Sequence, residues 1–334
     1  RDDGVRGVTS NPSIFKAAIT GSAAYDSDVS TFLAAHSDAS TERLYEALVI
    51  TDIRMAADIL APVFDASDGT DGFVSLEVSP HLAHDTAGTE AEAQRLWNAV
   101  DRPNLMIKVP ATEAGIPAVE NLIAAGINVN ATLMFSLTDY EAVANAYLRG
   151  LGRRDDPSGV ASVASFFVSR VDTKVDAALE EAGTEAALEL RGRAAIANSR
   201  LVYRRFLELF QGDAFAELAE RGAQVQRPLW ASTSTKNPSY PDILYVEELI
   251  GPDTVNTLPM ATVDAYRDHG RPRSTVAECF ADDEALLGRL PEFGIDLDAV
   301  TCELQTEGVA SFADAFDGLM AALEVKRSAR VAGG

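Results

Sequence analysis

Asn104-Leu105-Met106-Ile107-Lys108-Val109-Pro110-Ala111-Thr112 reads as a short buried β-strand, bounded by Pro103 before it and Pro110 after. One lysine stands inside it. The chain carries five lysines against twenty-three arginines. Lys16, Lys174, Lys236 and Lys326 lie in polar or helical settings, where a solvated ammonium costs little; Lys108 alone lies in an apolar run. Burying an unpaired ammonium costs several kcal/mol, so such a lysine is either paired with a carboxylate or neutral. A neutral amine is what nucleophilic attack on a carbonyl requires. Taken by itself the stretch leaves two readings open: a structural lysine, paired or reaching the strand end, and a nucleophile.

Working outward, similar runs recur along the chain. Gly4–Val8 is strand-like and ends in Thr9-Ser10-Asn11-Pro12-Ser13, where Ser13 is placed to cap a helix and Asn11 stands at the strand's end. Ser40-Thr41-Glu42 opens a helix with Leu44, Leu48, Thr51, Met55 and Ile59 at helical spacing, and Gly72–Pro80 is a strand. Further strands fall at Ile127–Leu133, Ser162–Val171, Gln226–Trp230 and Thr254–Thr257, with helical patterns at 90–100, from Thr112 to Gly126, at 138–148 and over most of 172–222. Strands alternating with helices at this spacing build a parallel sheet. Seven strands are legible, whereas a closed barrel needs eight. Arg1-Asp2-Asp3-Gly4 reads as the tail of a helix, so the expectation is an α/β fold, a (β/α)8 TIM barrel with extra helices, whose first strand and helix precede Arg1. An open doubly wound sheet is the alternative; it calls for a glycine-rich phosphate turn, and neither GxGxxG nor GxxxxGK[ST] is present.

Alternation places polar groups on one parity of several strands. Asn128, Asn130 and Thr132 oppose Ile127, Val129 and Ala131; Ser75, Glu77 and Ser79 oppose Leu76 and Val78; Met106 and Lys108 oppose Leu105, Ile107 and Val109. In a parallel barrel the apolar parity meets the surrounding helices, so acids, amides and the lysine converge inside. A purely structural interior is layered with Val, Ile and Leu instead. Further on, Ser165, Arg170, Ser232 and Lys236 fall at or near two adjacent strand ends, a donor set suited to phosphate. The competing reading pairs Arg170 with Asp172 and makes the Ser232–Thr235 run a polar turn.

Composition limits the partners. The net charge of −23 argues against nucleic acid, whose phosphates need a basic footprint, but leaves room for a small phosphate ester where a few cations converge. No apolar run approaches the roughly 20 residues of a membrane span. Cys279 and Cys302 are far apart, and the four histidines form no HExxH, which fits a cytoplasmic protein with neither metal nor structural disulfide. No linker or repeat divides the chain, so residues 1–334 read as one domain.

Val8-Thr9-Ser10-Asn11-Pro12-Ser13, Glu77 in its strand, Ile107–Thr112, Gly126–Leu133, Ser165 to Arg170 and Ala231–Asn237 together resemble the transaldolases in order and spacing. The resemblance runs from Asn11 to about Leu258. It implies a Schiff-base barrel moving a dihydroxyacetone unit from sedoheptulose 7-phosphate to glyceraldehyde 3-phosphate in the pentose phosphate pathway, giving erythrose 4-phosphate and fructose 6-phosphate. Carried over by position, Lys108 is the amine, Glu77 and Thr132 handle a catalytic water, and Asn11 and Asn130 hold the dihydroxyacetone hydroxyls. Ser165, Arg170, Ser232 and Lys236 grip phosphate, Lys236 standing where the family often has arginine. No metal and no cofactor are implied, and the chain is expected as a monomer or homodimer. The family's acid/base aspartate sits on the first barrel strand, so it is expected before Arg1; Asp2 and Asp3 stand in the wrong context to replace it. Two alternatives are an aldolase of the fructose-6-phosphate type, which releases dihydroxyacetone, and a non-catalytic sugar-phosphate-binding barrel. The C-terminal helix, with Phe312, Phe316, Leu319 and Leu323 on one face, is expected to pack near the barrel mouth and limit water.

Overall fold

The computed structural model describes residues 4–21 and 23–332; the helix tail read at Arg1–Asp3 lies outside them. Strands β1 (Val8–Thr9) and β2 (Val74–Glu77) are joined through α1 (Pro12–Thr20), α2 (Asp26–Ala35) and α3 (Thr41–Ala66). Single helices then link successive strands: α4 (Thr86–Val100) leads to β3 (Leu105–Pro110), and α5 (Gly115–Ala124) to β4 (Val129–Met134). Next, α6 (Leu137–Gly152) leads to β5 (Ser162–Phe167). Four helices, α7 (Ser169–Ala182), α8 (Glu185–Leu188), α9 (Ala194–Phe210) and α10 (Asp213–Glu220), separate β5 from β6 (Arg227–Ala231). After α11 (Leu244–Glu247) and β7 (Val255–Asn256) come α12 (Met260–His269), α13 (Phe280–Arg289) and α14 (Leu297–Ala332).

All seven strands pair in parallel and in chain order. In a flat sheet, β2 and β6 would lie roughly 19 Å apart, four spacings of about 4.8 Å. Here Gln224, just before β6, donates from Nε2 to the carbonyl of Gly69 before β2 at 3.2 Å, and Arg227 comes within 3.7 Å of Asp71. The sheet is therefore curled into a TIM-barrel-like wall. Among the described residues no ladder joins β7 to β1.

The apolar parity does what alternation demands. Val74, Leu76, Leu105, Ile107, Val109, Val129 and Ala131 are all buried under the helices, and each large one contributes about 1.5–3 kcal/mol by leaving water.

Two local readings change. Asn11, not Ser13, caps α1: its Oδ1 accepts from the Ile14 amide at 2.8 Å, and Pro12 follows at the first helical position, where its missing N–H costs nothing. In α3 the inward stripe is Leu44, Leu48, Val49, Ile53, Ala57 and Leu60, while Met55 and Ile59 are exposed. At about 100° per residue the row from Leu44 to Ile59 turns by only about 60°, so it is the buried face that moves, passing from the Leu44 and Leu48 side to the Ile53, Ala57 and Leu60 side along this long helix.

Candidate active site

Register assembles the site. The β2–β3 ladder sets Glu77 opposite Lys108, and the β3–β4 ladder sets Lys108 opposite Asn130 and Pro110 opposite Thr132. Lys108 Nζ donates to Glu77 Oε2 at 3.0 Å and to the carbonyl of Ser10, just past β1, at 3.1 Å. Both side chains are almost fully enclosed. Burial pushes the Glu77 carboxyl above its ordinary range, and the Lys108 ammonium only partly opposes that. Among the described residues, Glu77 Oε1 and Thr132 Oγ1 are buried with no hydrogen-bond partner. Buried polar atoms are normally satisfied, so these two, on the strands that flank β3, are groups able to take a water or a hydroxyl.

A second chain of bonds crosses the interior. Ser165 Oγ donates to Asn130 Oδ1 at 2.6 Å, and Asn130 Nδ2 donates to Ser75 Oγ at 3.0 Å. Ser10 Oγ in turn donates to the Ser75 carbonyl at 2.7 Å. These bonds lock the Asn130 amide in one orientation. Asn128, one step of the same parity lower, is spent on backbone: it donates to Pro103 and Leu105 and accepts from Ala161. Asn11 uses Oδ1 as a cap, which leaves its amide nitrogen for other partners. Beside Glu77 a cavity of about 20 Å³, lined by Ser10, Asn11, Tyr45, Glu92 and Phe316 among others, has room for one water.

The expected phosphate set divides. Ser169 Oγ lies 3.0 Å from Ser232 Oγ, and the Ser169 amide donates to the Ser232 carbonyl, so Ser232 and Arg170 share one end of the barrel. Arg170 is not paired with Asp172. Its guanidinium lies 5.7 Å from the Phe167 ring centre, forms no ion pair among the described residues, and is pushed below its ordinary pKa by burial. Lys236 is exposed in the connection after β6, where Nζ donates to Ser234 Oγ at 2.7 Å. Ser165 stays at strand level with Asn130. Its five-residue separation from Arg170 covers more than 10 Å of strand and first helical turn.

Helix α14 covers the strand ends. Gln305 Nε2 donates to the carbonyls of Ala111 and Leu133, at 3.0 and 3.2 Å, and the Phe312 ring centre is 5.7 Å from Lys108 Nζ. The Phe312 and Phe316 face thus meets the barrel mouth as its spacing suggested. Two bulky or polar residues are strained at this rim: Leu133, at the break in β4 register, has φ 61°, and Ser232 has φ 55°. Strain of this kind gathers at functional sites. Sequence pattern gave no role to Ser10, Ser169 or Gln305. The parity argument offered Ser75, but a backbone acceptor such as the Ser10 carbonyl has no signature in side-chain pattern.

A TIM-barrel-like enzyme with an amine and an acid at the C-terminal ends of its strands is the class that this fold and site define. The family model "Transaldolase/Fructose-6-phosphate aldolase" matches residues 1–323, and the chain belongs to that family. A Thiobacillus denitrificans protein named transaldolase is 52% identical over 324 residues, 96% of this chain and 90% of its own. Streptomyces coelicolor transaldolase 1 is 50% identical over 97% of this chain and 86% of its own. A Mycolicibacterium smegmatis transaldolase is 49% identical over 96% and 87%.

Proposed function

We propose that this chain is a transaldolase of the pentose phosphate pathway, acting in the cytoplasm as one barrel domain on sugar phosphates. The observation that carries the reading is Lys108: an enclosed amine held between Glu77 and the Ser10 carbonyl at the strand ends. Its neutral form attacks the ketose carbonyl, and loss of one water from the carbinolamine gives an iminium. Glu77, kept up in pKa by burial, is suited to pass protons to and from that water, with Thr132 Oγ1 as its second holder. The C3–C4 bond then breaks. Its electron pair moves into the iminium to give an enamine, the C4 hydroxyl proton leaves to a base, and an aldose phosphate departs. The enamine adds to the aldehyde of the acceptor, and water hydrolyses the new iminium to free the product.

Asn130, locked by Ser75 and Ser165, and Asn11, whose amide nitrogen has no partner among the described residues, suit the hydroxyls of the three-carbon unit. Arg170 and Ser232 suit the phosphate, with Lys236 in the following loop. No helix of the described residues is long and apolar enough to cross a membrane.

Borohydride reduction in the presence of fructose 6-phosphate, followed by peptide mass mapping, tests the reading. A reduced adduct on Lys108 is expected; turnover without one would refute the mechanism. Incubation with the same donor and no aldehyde separates transfer from aldol cleavage. Stoichiometric adduct with little free dihydroxyacetone is expected, and multiple turnovers of release would shift the assignment to the aldolase.

A further inference from the structure

Outside the active site, α7 carries two buried carboxylates that the chemistry does not use. Asp172 and Asp176 are four residues apart, so they share a face of the helix. Each divides its oxygens in the same way. Asp172 accepts from the Ala195 amide at 2.7 Å with Oδ1 and from the Tyr245 hydroxyl at 2.9 Å with Oδ2. Asp176 accepts from the Gly192 amide at 2.9 Å and from the Tyr240 hydroxyl at 2.7 Å. The fit is close. Gly192 has φ 71°, and a Cβ there would lie 2.9 Å from Tyr240 Cζ.

Both tyrosines belong to the long connection from β6 to β7, which also carries Ser232 and Lys236. The start of that connection is tied down as well: Ser232 meets Ser169, and Thr233 Oγ1 donates to Asn256 Oδ1 at 2.7 Å. Arg170 lies within the first turn of the helix that bears both aspartates. The helix presenting the guanidinium is thus fastened twice to the segment presenting the hydroxyl and the amine. Surface loops of this length are ordinarily the mobile part of a barrel. This one is anchored through buried carboxylates, an arrangement that burial alone disfavours and that pushes the Asp172 carboxyl up to about 7.

We infer that Asp172–Tyr245 and Asp176–Tyr240 are positioning pairs that hold the Ser232–Lys236 segment against Arg170, setting affinity for the substrate's phosphate without entering the chemistry at Lys108. The inference rests on the transaldolase reading for its substrate, but its geometry has a readout of its own. Y245F and Y240F each remove one phenol donor and leave the fold's apolar contacts in place. One hydrogen bond's worth of positioning predicts a rise in KM for fructose 6-phosphate of about fivefold per variant, with kcat within about twofold. Unphosphorylated fructose, assayed at high concentration, is expected to keep its wild-type kcat/KM.

Calorimetric titration with inorganic phosphate is expected to show the same weakening, whether or not the protein transfers a dihydroxyacetone unit. An unchanged preference for the phosphorylated donor, or equal losses in kcat with both donors, would overturn the positioning role. So would inorganic phosphate binding to the variants as to the wild type. Should Y245F melt below the assay temperature, Y240F, whose phenol is only half-buried, supplies the same comparison. Absence of any Lys108 adduct in the wild type would instead remove the transaldolase reading and leave the phosphate titration to judge the pairs.

Discussion

Lys108 and Glu77 form a buried ion pair, and such a pair stabilises little in itself because desolvation offsets attraction. Its worth lies in keeping an amine and an acid together where water is scarce. Breaking it on one side is a different matter, since a lone buried charge costs about 3–5 kcal/mol. Glu77, however, has a carboxyl already raised by burial, and Lys108→Met would remove the one cation opposing that rise. The folded variant then binds a proton that the unfolded chain has released. Stability falls as pH rises from the ordinary glutamate range through the raised folded value. Thermal melts should therefore show a deficit for Lys108→Met that is small at pH 5 and grows towards pH 8. Adding Glu77→Gln should flatten that growth. An equal deficit at both pH values would mean that Glu77 stays charged or finds another partner. Phe312→Ala probes the other neighbour of the amine. It removes an enclosed ring at a cost of about 3–5 kcal/mol and opens the space over Lys108. Release of free dihydroxyacetone relative to transfer is expected to rise about tenfold, equivalent to ~1.4 kcal/mol between the two barriers. Unchanged partitioning in folded protein would show that the ring only packs.

Elements fix these residues through their ends more than their middles. Helix α4 delivers the chain into β3, and it terminates on Asp101, an exposed residue at φ 52°. A carboxylate there faces the negative end of the helix dipole and a backbone region that favours glycine. Arg102 donates to the Asp101 carbonyl, a bond that any residue at 101 would keep. Asp101→Gly should therefore stabilise by about 0.5–1 kcal/mol, raising the melting temperature by ~2 °C without altering kcat. A lower melting temperature would mean that glycine's extra freedom in the unfolded chain outweighs both gains. The same reasoning does not extend to Leu133 and Ser232. Leu133 adjoins Thr132 at the break in β4 register, and Ser232 opens the connection that meets Ser169, so relieving either strain would shift residues at the strand ends.

At the scale of the molecule, period-two patterning carried most of what the sequence made legible. The inward set Ser75, Glu77, Lys108, Asn130 and Thr132 follows from parity alone, because helices cover the other face and a one-residue slip would bury the wrong side. Parity does not report height along a strand. Ser165 was therefore grouped with Arg170, though it bonds to Asn130, and Asn128 looked like a site residue though it ties backbone. The Asp172 and Asp176 pairings were invisible for another reason: their tyrosine partners lie more than sixty positions away in a connection with no periodic pattern. Charge is the remaining global property. Fifty-one acidic residues against twenty-eight basic ones leave a net −23, and that self-repulsion destabilises the compact state. Exposed ion pairs such as Arg95–Glu46, Arg102–Asp58 and Arg191–Glu180 oppose it locally, but each is worth only about 0–1 kcal/mol. Added salt screens both, and the Debye length shrinks from about 30 Å at 0.01 M to about 10 Å at 0.1 M. Long-range repulsion is lost over those distances, whereas contacts below 3 Å are weakened less. The melting temperature should therefore rise by roughly 2–5 °C between 10 mM and 0.5 M sodium chloride. A fall over that range would show that the surface ion pairs, acting as networks, outweigh the excess negative charge.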